Sequence, residues 1–483
     1  MRGKVFFCLG LAGLMLVAAA CTVSQEPKDL ATAEPTLAPM PTSAEAATPT
    51  IAPTEAQPTS TLPPTSAPAT VTAPASSPTS PATAEPQVIS TPTVPVALPD
   101  GKPMARLSAG QPVTVTAIHM VDANTGWAVA QVATDLDSRI LQTADGAKTW
   151  RDVTPPEPAS VPDPNQMVGK SAVAFFRDAQ EAWVAFGYPP GAPLPTGAII
   201  TWVTHDGGKS WTPSAPLATD TLEQYWPSDM VFVDEQSGWL LVHAGAGMSH
   251  DYVALYATQD GGATWAEVVD PMALPDSGSL SMSCQKTGIA FADAKNGWVS
   301  GDCFGVVPGS PYLYQTADGG HTWQFYKLTP PADVPNLFTD ENTACGTGTP
   351  IFVSPADGML TMSCQSYKTN QGRGWLYVTA DSGKTWTPRP LPAPYGTLQF
   401  LDANVGWWVG GASTDPTIVR QLFGTQDGGK SWAAAKTLNW GGQVDFVDAK
   451  AGWAVAKSDQ AVALVYTQDG GQKWSLIAPQ VAP

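Results

Sequence analysis

From residue 113 onward the chain alternates apolar and polar positions in short segments, each broken by a cluster of Asp, Gly, Asn and Ser. Period-two alternation over four to seven residues is the pattern of half-buried β-strands, and nothing in this part repeats at helical spacing. Two kinds of break recur in turn. In one, an alternating segment runs into Asp, three variable residues, then Gly-Trp, as at Asp122 to Trp127, Asp234 to Trp239, Asp293 to Trp298, Asp402 to Trp407 and Asp448 to Trp453. It carries Ala182-Trp183 after Asp178 and weakens to Gly358-Met359 after Ser354. The other is an eight-residue string ending in tryptophan, at residues 143–150, 204–211, 258–265, 316–323, 379–386, 425–432 and 467–474. Each break predicts a hairpin. The segment 444–447 should pair with 452–456 across the first kind, and 464–467 with 474–477 across the second.

Two hairpins make four strands per repeat, and the aspartates of successive strings lie 42 to 63 residues apart. That is the blade of a β-propeller, and seven copies predict seven blades. The expected fold class is therefore all-β: a seven-bladed β-propeller with four-stranded antiparallel blades over residues 101–483. The eight-residue string resembles the Asp-box of bacterial neuraminidase repeats. Its pairing with the Gly-Trp string is similar to the photosystem II assembly and stability factor family of seven-bladed propellers, over residues 113–478. Departures are Ala147 and Ser382 where Gly is usual, Lys473 for Thr or Ser, and Met359 for Trp.

The box residues Asp145, Asp206, Asp260, Asp318, Asp381, Asp427 and Asp469 suit a structural task. An Asp carboxylate can accept backbone N–H groups of its own loop, Gly supplies positive φ, and Trp fills the space between sheets. Blades arranged radially hold these carboxylates apart, whereas Ca²⁺ wants about six to eight oxygens, so no metal and no cofactor is expected. Four cysteines also follow the repeat. Cys284 and Cys303 are 19 residues apart, as are Cys345 and Cys364, and a shift of 61 residues superposes one pair on the other. Each pair is centred on a hairpin turn, which predicts the disulfides Cys284–Cys303 and Cys345–Cys364 among three connectivities. No Cys-x-x-Cys or clustered His supports a metal site instead.

Both kinds of turn fall on one face of the disc, which is uniform. The opposite face receives the irregular connections, at residues 155–171, 214–229, 243–252, 270–288, 328–350 and 364–375, and variable loops on a regular scaffold are where binding concentrates. They carry Tyr225, Trp226, Asp229, His243, His250, Asp251, Tyr252, Tyr367, Arg373 and Trp375 as candidate partner-binding residues, an aromatic and sparsely charged set that suits a protein or glycan contact. Such side chains also serve to cover the small cores of their own loops.

Ahead of the repeats, Arg2 and Lys4 precede an apolar run over residues 5–20 that ends in Ala18-Ala19-Ala20-Cys21. The run is short for a membrane span and resembles a bacterial lipoprotein signal, with Ala18 where that pattern usually has Leu. The resemblance implies a signal peptide over 1–20, removed on export, and lipidation of Cys21. An ordinary secretory signal cleaved near Ala20 is the alternative, and both place the mature chain outside the cytoplasm, where disulfides persist. Residues 21–100 are Pro, Thr, Ala and Ser without an aromatic before the repeats, so they are expected to be a disordered tether. Extended at about 3.1 Å per residue, it would reach on the order of 200 Å.

The formal charge of −18, from 24 basic and 42 acidic residues, argues against nucleic acid as a partner. Sialidases clamp a carboxylate with three arginines. Beyond the signal this chain has only Arg106, Arg139, Arg151, Arg177, Arg373, Arg389 and Arg420, none opening an innermost strand on the variable face. The expectation is a non-enzymatic, monomeric, lipid-anchored binding or assembly scaffold for a protein partner at a bacterial membrane or cell surface. The alternative is a glycan-binding or glycan-cleaving surface lipoprotein.

Overall fold

The computed structural model describes residues 98–483, apart from 134, 161–168, 189–193, 195–196, 248–249, 274–277, 304–310, 415–418 and 460. The expected signal, Cys21 and nearly all of the expected tether lie outside the described residues. What is described is all-β, with a single 3₁₀ turn at Leu337–Thr339.

The first blade comprises β1 (Thr114–Met120), β2 (Gly126–Val132), β3 (Asp135–Thr143) and β4 (Thr149–Asp152). The second holds β5 (Ser171–Phe176), β6 (Ala182–Gly187), β7 (Thr201–Thr204) and β8 (Thr212–Pro213), and the third β9 (Trp226–Phe232), β10 (Gly238–Gly247), β11 (His250–Thr258) and β12 (Ala266–Val269). Blade four is β13 (Gln285–Phe291), β14 (Gly297–Asp302), β15 (Leu313–Thr316) and β16 (Gln324–Phe325). In blade five the first strand is split into β17 (Thr343–Thr347) and β18 (Ile351–Phe352), both paired with β19 (Gly358–Ser366), followed by β20 (Gln371–Thr379) and β21 (Thr387–Pro390). Blade six is β22 (Tyr395–Phe400), β23 (Gly406–Gly411), β24 (Arg420–Thr425) and β25 (Ala433–Leu438). Blade seven is β26 (Gly441–Phe446), β27 (Gly452–Lys457), β28 (Val462–Thr467) and β29 (Ser475–Ile477), after which β30 (Gln480–Val481) ends the chain. Strands within each blade pair antiparallel in chain order. Blades four and five merge into one nine-stranded sheet where Asp302 pairs with Gly346.

Neighbouring blades are locked by the Gly-Trp string. The tryptophan of one blade stacks on the phenylalanine that ends the first strand of the next: Trp127 on Phe176, Trp183 on Phe232, Trp239 on Phe291, Trp298 on Phe352 and Trp407 on Phe446, with ring centroids 3.5 to 5.3 Å apart. The glycine before the tryptophan makes room for the same ring of its own blade. A methyl group at Gly238, Gly297, Gly358, Gly406 or Gly452 would come within 2.4 to 2.7 Å of Phe232, Phe291, Phe352, Phe400 or Phe446. Where the tryptophan is missing, Met359 packs with Phe400 instead. Four of the indole N–H groups also donate forward to a carbonyl of the next blade: Trp127 to Asp178, Trp183 to Gly261, Trp239 to Gly319 and, from blade seven back to blade one, Trp453 to Gly146.

First strands are stitched to one another, which marks them as the inner ring. The carboxylate of Asp229 accepts the N–H of Ile289, Gln399 accepts that of Phe446, Gln443 that of Ile118 and Asp445 that of Met120. Closure follows from the chain ends. β30 runs parallel to the outer strand β4, and the segment before β1 binds its other side, Gly110 N–H to Val481 O at 3.0 Å and Val113 N–H to Pro479 O at 3.1 Å.

Each box is closed by its own side chains. In the second blade Asp206 Oδ1 accepts the N–H groups of Lys209 and Ser210, both at 2.9 Å, Oδ2 accepts the Ser210 hydroxyl at 2.6 Å, and Thr204 Oγ1 accepts Gly208 N–H. The same bonds recur at Asp427 with Ser431 and at Asp318 with Thr322. These bonds, the hydroxyl first, hold Asp206 and Asp427 down to about 2. The carboxylates are occupied by the turns they build.

Candidate functional site

The two kinds of turn lie at one end of every blade, so the opposite end carries the variable connections. There the long hairpins β10–β11 and β19–β20 continue as paired strands well beyond the shorter β6–β7 and β14–β15. Residues 243–252 and 364–375 were expected to be loops. They are largely hairpin strand instead, because backbone pairing runs on through Gly247↔His250 and Ser366↔Gln371. Both cystines form as expected, Cys284–Cys303 and Cys345–Cys364, and the second joins residues directly opposite in register. They fit an oxidising compartment. No helix among the described residues is long and apolar enough to cross a membrane.

Seven of the ten candidate residues belong to blade three or the turn before it. Trp226 opens β9, is 37% exposed, and lies 5.2 Å from the His243 ring. His243 Nδ1 is 2.7 Å from Asp251 Oδ1, and Asp251 Oδ2 accepts the backbone N–H of Lys286. The Lys286 ammonium donates to the carbonyls of Asp251, Ser283 and Cys284 and sits 5.3 Å above the Tyr312 ring. Burial pulls this lysine down to about 8, against the opposing pull of Asp251. His250 stacks near Tyr252 at 6.1 Å, with His250 exposed and Tyr252 half-buried. The base of the hairpin is thus fixed by buried polar contacts while its aromatic edge faces solvent.

Two residues of this group do other work. Tyr225 is 2% exposed and belongs to the core between blades two and three. Asp229 sits within the inner strand β9, bonded to Ile289, and burial pushes it up to about 6. The remaining three candidates are in blade five. Tyr367 is 55% exposed, and Arg373 pairs with Asp333 at 2.6 Å and lies 5.0 Å over Trp375, itself only 2% exposed. Tyr225 and Trp375 were expected to face a partner and are core: Tyr225, just ahead of β9, packs between blades two and three, and Trp375 of β20 packs in the core cluster with Trp298 and Tyr377.

The expected loop 155–171 also conceals a pair that the sequence reading missed. Lys170 Nζ meets Glu157 Oε1 at 2.6 Å, both side chains 5% exposed, and Trp202 donates to Glu157 Oε2.

A cleft of about 360 Å³ opens at the axial mouth of the variable face, lined by the starts of β22 and β26, by blade five and by the end of β14. Its wall includes Asp302, Thr361, Ser363, Tyr395, Thr397, Trp408 and Arg420. Arg420 does not open an innermost strand, as the sequence indicates. Its guanidinium nevertheless reaches the inner ring, donating to the carbonyls of Tyr395, Ser413 and Thr414. It passes over Gly441, where a methyl group would come 2.5 Å from Nε. Among the described residues it is the only arginine in the wall, so a multi-arginine clamp is not assembled there. The signals in the sequence were faint: a glycine opening β26 and an arginine at the end of a variable loop.

No family model matches the sequence, and no curated protein matches it. Solved structures similar to this chain include YCF48 bound to a D1 peptide, 18% identical over 79% of this chain and 99% of that one, with a TM-score of 0.45. They include a family PL25 ulvan lyase, 12% identical over 78% and 97% with a TM-score of 0.43, and the Niastella koreensis GH74 enzyme, 14% identical over 80% and 74% with a TM-score of 0.32. At these identities and TM-scores nothing of what those proteins bind or act on is carried over to this chain.

Proposed function

We propose that this chain is an extracytoplasmic, lipid-anchored binding scaffold that docks a partner protein on its variable face and is not an enzyme. The observation that carries the proposal is the long β10–β11 hairpin. It presents the exposed His250 with the half-buried Tyr252 beside it, next to the exposed Trp226 of the neighbouring β9, while Asp251 and Lys286 hold His243 and the hairpin in place. Exposed aromatics on a rigid support lose little conformational freedom on binding, which is how interface anchors work. Tyr367 of blade five adds a further exposed aromatic on the same face.

The tether and anchor follow from the sequence: acylation of Cys21 would hold the mature chain at a membrane, and residues 21–100 would give the propeller reach. Metabolic labelling with palmitate tests this, and label retained by Cys21→Ser would refute it. The docking proposal is tested by crosslinking and affinity recovery in the native host, comparing the wild-type chain with Trp226→Ala/Tyr252→Ala. Its loss is expected in that variant, and recovery that ignores the substitution would refute it.

A further inference from the structure

We propose that Lys170 and Glu157 form a self-crosslinking site, at which the buried ammonium and carboxylate condense to an intramolecular amide. Lys170 Nζ lies 2.6 Å from Glu157 Oε1, and both side chains are 5% exposed. Among the described residues this is the one lysine–carboxylate ion pair, and no other ion pair is as enclosed on both sides. Lysine is also the only cationic partner in these pairs that becomes a good nucleophile on losing a proton, since a guanidinium keeps its charge. Taking two charges out of water costs solvation that their attraction returns only in part. An amide in the same place carries no charge, so condensation removes that cost.

The surroundings suit the reaction. Trp202 Nε1 donates to the other carboxylate oxygen, Glu157 Oε2, at 2.9 Å. That donor polarises the carboxyl and would stabilise the oxyanion of a tetrahedral intermediate. On the far side of the ammonium stands the Tyr188 ring, its centroid 5.0 Å away. Burial holds the Tyr188 hydroxyl above its ordinary range, against the pull of Lys170, so this wall stays uncharged. Both backbones are pinned: Met104 N–H donates to Glu157 O, Lys170 N–H to Asp137 Oδ1, and Ser138 N–H to Lys170 O, at 2.8 to 2.9 Å. Groups held in contact with water excluded behave as if at effective concentrations far above any reached in solution.

The step balances without a further reactant. Lys170 Nζ passes one proton to Glu157 Oε1, leaving a neutral amine and a carboxylic acid. The nitrogen lone pair attacks Cδ and forms the C–N bond. The nitrogen then gives a second proton to the departing hydroxyl, the Cδ–O bond breaks, and one water leaves. The product ties the chain just after β4 to the residue that precedes β5, and so fixes the connection between blades one and two. It shares no residue with the docking hairpin, so this proposal and that one can fail separately.

Peptide mass spectrometry on the full chain tests it. Trypsin cuts after Arg151, Lys170 and Arg177, and no other Lys or Arg lies between them. A lysine whose nitrogen is an amide is not cut, so the wild type is expected to give residues 152–177 as one peptide, lighter by one water. That peptide should be absent from Glu157→Gln, whose amide cannot take the proton and leaves Lys170 an ammonium, and from Lys170→Arg, which keeps the charge without the nucleophile. Wild-type digestion to residues 152–170 and 171–177, both at full mass, would overturn the proposal, and this reading needs no variant to fold. A water loss within residues 152–177 that persists in Lys170→Arg would overturn it too, by placing the loss at another residue.

Discussion

Both residues after each box aspartate take a left-handed backbone, φ 72° and 73° at Gly207 and Gly208, and this explains where the repeat tolerates change. Ala147 and Ser382 occupy the same conformation at 70° and 61°. A side chain there is strained by roughly 1–2 kcal/mol. Ser382→Gly should therefore raise stability by about 1 kcal/mol in urea unfolding. Gly383→Ala should do the reverse by at least about 2 kcal/mol, since its methyl would meet the Trp298 ring at 2.1 Å as well as the unfavourable φ of 74°.

Protonation sets a second residue-scale expectation. Asp206 and Asp427 have folded values near 2, below those of the unfolded chain, so their contribution is present above about pH 4 and is lost as pH falls toward 2. Asp229 and Asp445 run the other way. Burial raises them to about 6 and about 7, so between pH 4 and those values the folded state holds more protons and stability falls as pH rises. On these groups stability should peak near pH 4 and decline until about pH 7. Urea unfolding at pH 3, 5 and 8 checks this, and Asp445→Asn should flatten the decline toward pH 8 while leaving the acid limb unchanged.

At the scale of elements, strand pairing was legible wherever turn chemistry punctuated it. The segments expected at 444–447 and 464–467 are the ends of β26 and β28, and both cystines followed from repeat spacing alone. The hairpins β10–β11 and β19–β20 were not legible as strands, because their distal halves are rich in Gly, Ser and Asn and carry no alternation. Their pairing is imposed by continuation of the ladder. The buried pair Lys170–Glu157 escaped for a related reason: an isolated Lys and Glu in a Pro-rich connection look solvated until packing encloses them. Glu157→Gln should cost about 3–5 kcal/mol by leaving the ammonium of Lys170 without its charge partner, measurable as a lowered urea midpoint. The surface pair Arg373–Asp333 should give under about 1 kcal/mol in the same assay.

For the whole molecule, the residues that make the fold readable and those proposed to make it useful are different sets. The box aspartates, the Gly-Trp strings and the phenylalanines that answer them are consumed in turns, inter-blade stacking and closure of the ring through Trp453 and β30. The eight-residue box recurs seven times, and the Gly-Trp string five times with Ala182-Trp183 and Gly358-Met359 as variants. The sequence could not announce the axial cleft, because Asp302, Thr361, Thr397, Trp408 and Arg420 come from blades four, five and six and share no motif. On this reading the variable face carries the binding. Its most direct measurement is affinity recovery from the native host with three chains: the wild type, Trp226→Ala/Tyr252→Ala on the variable face, and Lys209→Ala/Lys430→Ala on the box face. A protein recovered by the wild type should be retained by the box-face variant and lost by the variable-face variant; loss with the box-face variant and retention with the other would show that the variable face is not where the partner docks.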